Sequence, residues 1–202
     1  MSTAIKLVVC VGVLVLAGCQ SVAPIPSDRY YRLEAATSAV AAQPPLNEAL
    51  YVAPLRADGQ YAERAMLYAP ANRSRELQQY HYQHWSEPPA VLLQEHMRAS
   101  LQAMSIAPRV TDVLTGSGVG FLLNAKILRL EKLTGSNNDS TRAVVALHFA
   151  LQRKQPFELL LERSYVVEEV VNENTQHGYV VATEAALIKI YARFAEDVKT
   201  LR

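Results

Sequence analysis

Cysteine is almost absent from this chain. Only Cys10 and Cys19 occur in 202 residues, and both lie close to the N-terminus. Residues 29–202 therefore hold no disulfide, no free thiol and no cysteine ligand for a metal. Stability has to come from a packed core, which a chain of this length can supply. An excess of charge is missing too, with 20 Lys and Arg against 19 Asp and Glu. Nucleic acid demands clustered basic side chains, so this balance argues against it as a partner. Serines are present, but no Gly-x-Ser-x-Gly elbow raises one as a nucleophile. Glycine clusters once, at Gly116-Ser117-Gly118-Val119-Gly120, without the Gly-Lys-Ser/Thr ending of a phosphate loop. That stretch reads as a flexible connector or partner-contact loop leading into a strand.

What is present begins at the N-terminus. Lys6 is the only charged side chain before an apolar run over residues 7–17. This is the n-region and h-region pattern of a secretory signal. Eleven residues fall short of the ~20 that a membrane-spanning helix needs. Leu16-Ala17-Gly18-Cys19 then fits the lipobox, [LVI]-[ASTG]-[GA]-C. There a thiolate takes a diacylglyceryl group, and the small residues before it let a peptidase hold the chain extended. An ordinary cleaved signal beside a coincidental cysteine is the weaker alternative. The expected organisation is a cleaved signal at 1–18, a lipidated terminus and tether at 19–28, and one periplasmic domain at 29–202. Gln20 follows the cysteine in place of the Asp that favours inner-membrane retention, which points to the outer membrane. The tether (QSVAPIPSD, 20–28) reaches at most ~30 Å.

Within the domain, strands are expected at 29–33, 49–55, 65–68 (stopped by Pro70) and 77–85. An Ala-rich loop broken by Pro44-Pro45 separates the first two. In LQQYHYQHW alternation places Tyr80, Tyr82 and His84 on one face. Ser86-Glu87-Pro88-Pro89 offers an N-cap and first-turn prolines, and Leu93, Met97, Leu101 and Met104 recur on one helical face. Three segments rich in apolar and β-branched residues follow, at 121–133, 143–152 and 157–171. Turn residues at 135–140 and 154–156 join them into an antiparallel meander. Val145, Leu147, Phe149 and Leu151 share one face of its middle strand. A last helix, from about 179 to 199, carries an apolar face of Leu187, Tyr191, Phe194 and Val198. The fold class is α+β: a largely antiparallel β-sheet with two main amphipathic helices packed on one face.

Side chains that could carry chemistry do not converge in this reading. His81 and His84, three apart on a strand, project to opposite faces, and His96 sits on a helix, so no metal set forms. Glu168 and Glu169 diverge for the same reason. His148 reads as a core or face-edge histidine holding a hydrogen bond. Trp85, the only tryptophan, is either a plug packed under the first helix or an exposed partner contact. Neither a catalytic residue nor a cofactor is expected, and lipidation at Cys19 is the one assigned site.

Four features together resemble a known family. They are the lipobox, Tyr31-Arg32-Leu33, Val52-Ala53-Pro54-Leu55, and Trp85-Ser86-Glu87-Pro88-Pro89 ahead of an amphipathic helix. The chain resembles the PqiC-like ABC-type transport auxiliary lipoproteins, from about residue 28 to 199. The resemblance implies an outer-membrane lipoprotein facing the periplasm and able to self-associate into a homo-oligomer. Its partners would be an MCE-domain (mammalian cell entry) protein and an ABC permease and ATPase that move lipids or other hydrophobic molecules between membranes. It supplies no catalytic residues. Two other classes remain open: an assembly or plug lipoprotein for an outer-membrane β-barrel, as in lipopolysaccharide export, and a periplasmic hydrolase.

Overall fold

The computed structural model describes residues 26–35, 43–114, 118–135 and 141–201. The expected signal segment, Cys19, the expected tether before residue 26, most of the Ala-rich stretch and most of the expected turn at 135–140 lie outside the described residues. Among the described residues no helix is long and apolar enough to cross a membrane.

One long strand, β7 (Val119–Thr134), organises the sheet. Along one edge it runs antiparallel to β8 (Arg142–Arg153), which in turn runs antiparallel to β9 (Glu158–Val170). This is the expected meander. The other edge of β7 takes three short parallel partners end to end: β2 (Ala49–Val52), β3 (Arg56–Ala57) and β4 (Ala65–Pro70). Beyond them lie β5 (Gln78–Trp85), antiparallel to β4, and β1 (Arg29–Tyr31), parallel to β5. A two-residue strand, β6 (Val110–Thr111), pairs with β2. The long ladders are antiparallel and the short additions mostly parallel. A bulge leaves Leu128 between the Ile127–Leu147 and Arg129–Ala146 pairs, at the level where the chain passes from β3 to β4.

Helices α1 (Pro89–Ala103) and α2 (Gln176–Lys199) cover one face of the sheet. Val145, Leu147, Phe149 and Leu151 of β8 turn toward them and are fully buried. Phe149 meets Phe194 of α2 edge-to-face at 5.0 Å and Tyr165 of β9 at 5.5 Å. Such aromatic pairs add about 0.5–1.5 kcal/mol each beyond the area they bury. Leu93, Met97 and Leu101 of α1 are buried as their spacing requires, and Met104 packs partly buried at its end. Helix α1 stops where Ser105 takes a left-handed backbone, φ 52°.

Several boundaries differ from the sequence reading. The expected 49–55 strand ends at Val52, short of Pro54, which donates no hydrogen bond to a ladder, and pairing with β7 resumes only beyond it in β3. Strand β4 runs two residues past the expected 65–68 and stops at Pro70 itself, opposite Thr134. Helix α2 begins three residues early, since the Thr175 hydroxyl accepts from Gly178 N at 2.9 Å. Ser86 does not cap α1; Pro88 holds that position, with Pro89 as the first helical residue. The β4–β5 register slips between Ala65 and Leu67, and alternation along β5 fails there: Tyr80 packs on the core while Tyr82 is exposed.

Candidate functional site

The N-terminal segment enters the fold beside the Trp-Ser-Glu-Pro-Pro stretch, and one arginine ties the two together. Arg64 donates from Nε to the Trp85 carbonyl at 3.2 Å and from a terminal nitrogen to the Ser86 carbonyl at 2.6 Å. Its guanidinium also lies over the Tyr30 ring, 5.2 Å from the centroid. Ser86 N donates in turn to the Tyr31 carbonyl at 2.7 Å. The chain from Asp28 onward is thus clamped to the end of β5 before it reaches the helices.

Past β1 the segment crosses the α1–α2 pair. Leu33 packs on the core, and Glu34 N donates to a Glu184 carboxylate oxygen of α2 at 2.7 Å. Burial pushes the Glu184 carboxyl up from its ordinary value, and the Glu34 N–H opposes that shift. His96 of α1 lies inside, 3% exposed, with Nδ1 3.4 Å from the Tyr191 hydroxyl. Burial holds His96 down to about 4, against an upward pull from the Glu34 backbone. The imidazole is therefore neutral at physiological pH, and one packed junction joins the segment after Asp28 to both helices.

Trp85 stands at the centre of this junction, 1% exposed, its ring 6.1 Å from that of Tyr179 on α2. A side chain so enclosed is a core plug, and an exposed partner contact would need surface it does not present. The histidines do not assemble. His81 is exposed, His84 lies 3.6 Å from Asp28 and stacks near Tyr30, and His96 faces Tyr191. Among the described residues no three His, Cys, Asp or Glu side chains converge. Glu168 pairs with Arg142 and Glu169 with Lys189 of α2, on opposite faces of β9. Gly120 serves a close approach, since a Cβ there would meet the Glu48 side chain at 2.6 Å.

One set that the sequence reading missed lies on the open face of the sheet. His148 Nδ1 sits 3.1 Å from the Ser164 hydroxyl, and Nε2 sits 3.1 Å from a Glu162 carboxylate oxygen. The sequence pairs none of these residues, because β8 and β9 bring them together laterally. The order Ser–His–Glu suggests a nucleophile relay, but the backbone of β8 is engaged in ladders on both sides. Its N–H groups cannot also stabilise an oxyanion.

This fold recurs in solved structures. Protein XCC0632 from Xanthomonas campestris, of the DUF330 family, matches with a TM-score of 0.70 at 17% identity, over 86% of this chain and 96% of that one. A structure described as an uncharacterized protein matches at 0.67 and 15% identity, over 86% and 99%. Identities this low establish a shared fold. Among curated proteins none matches the chain. The fold is an α+β module shared with that DUF330 protein. More particularly, the chain belongs to the ABC-type transport auxiliary lipoprotein component family, whose model matches residues 31–195. That is a family of auxiliary transport lipoproteins and not a known enzyme family.

Proposed function

We propose that this chain is an outer-membrane lipoprotein, acylated at Cys19 and facing the periplasm, that docks an MCE-type transport assembly. Its partners are the MCE-domain protein of that assembly and, through it, an ABC permease and ATPase moving lipids or other hydrophobic molecules. The observation that carries the reading is the family match across residues 31–195. The lipobox and Gln20 supply the anchor and its destination. The Arg64 clamp supports it as well, because it fixes the chain next to the tether against the folded domain and so keeps that domain near the membrane.

Cys19→Ala should move the protein from the membrane fraction to the soluble periplasmic fraction without unfolding it, and should fail to complement a deletion. Full complementation by that variant would remove the anchor from the function. Affinity capture of the cognate MCE-domain protein by the full chain tests the docking step. Capture of an outer-membrane β-barrel in its place would replace the docking reading with the assembly or plug role.

A further inference from the structure

The face of the sheet turned away from the helices carries a groove. Cross-strand register sets three rows on this face, about 7 Å apart. One row is Arg56, Lys126, His148 and Ser164. The next is Asn124, Ala150 and Glu162, and the third is Tyr51, Leu122 and Gln152. Ala150 is the small residue in the middle, and the surface sinks there.

Two hollows result, meeting at Asn124 and Gln152. One, of about 310 Å³, is polar and lined by Arg56, Lys126, His148 and Glu162. The other, of about 330 Å³, is almost wholly apolar, walled by Tyr51, Leu114, Val119, Leu122 and Phe157. Phe157 is 73% exposed and Leu114 is 55% exposed, so together they leave apolar surface in water. Lys154 stands on the rim at the same end.

Charge at the polar end is not closed. Lys126 Nζ is held by Asp58 at 2.5 Å, and His148 by Glu162. Arg56 makes no hydrogen bond or ion pair with the described residues, and only the longer-range attraction of Asp58 reaches it. Its guanidinium is planar, permanently charged and open to a bidentate anion. An open guanidinium at one end, amid otherwise paired charges, and an apolar wall at the other suit a molecule with both characters.

We propose that this groove binds a phosphate-bearing amphiphile. The phosphate sits on Arg56 and Lys126, the ester region passes Asn124 and Gln152, and one acyl chain lies along Leu122 and Tyr51 under Phe157 and Leu114. Leu122 and Lys126 lie about 13 Å apart along β7 at roughly 3.3 Å per residue, so head and chain contacts fit one molecule. This site goes beyond the docking role and does not depend on it: amphiphile binding is read on this chain alone, docking on the pair.

The Cys19→Ala chain, which keeps every residue of the fold, is titrated calorimetrically with 1-oleoyl-lysophosphatidylglycerol below its micelle concentration. Saturable one-to-one binding is expected. Arg56→Gln should weaken it about tenfold, the scale of one charge-assisted contact. Phe157→Ser and Leu114→Ser should each weaken it about as much, with thermal midpoints kept because all three side chains are exposed. Glycerol 3-phosphate, a head without a chain, should not bind detectably. Absence of saturable binding overturns the proposal, as does unchanged affinity in Arg56→Gln or in both apolar variants. Oleate binding as tightly as the lysophospholipid would overturn the phosphate assignment.

Discussion

Replacing Trp85 with alanine separates a core plug from a surface anchor by measurement. The ring is 1% exposed, closes the end of β5, and packs against Tyr179 of α2. Truncation removes that contact and leaves a cavity that the surrounding strands and helices can only partly close. Buried Trp→Ala changes cost about 3–5 kcal/mol. In a domain of this size each kcal/mol lowers the midpoint by about 2–4 °C, so Tm should fall by roughly 6–20 °C. Trp85→Phe keeps an aromatic ring against Tyr179 and should recover most of the loss. Circular dichroism melts of the two variants beside the parent chain give the answer. A Tm within 2 °C of the parent in Trp85→Ala, together with lost capture of the MCE-domain partner, would refute the core assignment.

Two further outcomes follow from the same structure. His96 titrates at about 4 in the fold against an ordinary value of 6.5, so the folded chain binds fewer protons than the unfolded chain. Its contribution is complete above pH 6.5 and is lost as pH falls toward 4, by up to about 3 kcal/mol. Urea midpoints at pH 7, 6 and 5 should fall accordingly and His96→Leu should flatten that slope, so a parent midpoint constant across this range counts against the buried neutral imidazole. Among the described residues β9 pairs only with β8, and Arg193 of α2 donates to the Val166 carbonyl at 3.2 Å. Arg193→Ser frees that acceptor on a long open edge and should raise self-association in static light scattering, and unchanged scattering would show that the edge needs no guard.

How much of this was legible in the sequence depended on how local each signal was. The 121–133, 143–152 and 157–171 segments carry enough apolar and β-branched residues to declare themselves, and structure places β7, β8 and β9 there. Leu187, Tyr191, Phe194 and Val198 mark the buried face of α2 in the same way. Strands β3 and β6 have two residues each and no pattern to read. Their parallel partners lie far along the chain, and no local residue names them. Tyr80 and Tyr82 misled because a register slip undoes period-two alternation. The Trp-Ser-Glu-Pro-Pro stretch was visible as a string, but its role was not, since the arginine that holds it lies 21 residues upstream of Trp85. The groove was invisible for a related reason: Arg56, Lys126 and His148 are neighbours only across three strands.

The arrangement of short strands along β7 also sets an order of events for the growing chain. Residues 49–70 hold β2, β3 and β4, and all three find their hydrogen-bond partners in Val119–Thr134. A chain threaded through a membrane N-terminus first would deliver those strands well before the strand that receives them. Pairings so distant in sequence form slowly, because the intervening loop must close before they return any energy. The meander β7–β8–β9, joined by short turns, is the part able to assemble as soon as it emerges. Strands β2 and β3 thus wait for partners that lie beyond residue 109, while the local β4–β5 pair can form before β7 emerges, a kinetic property written into strand order.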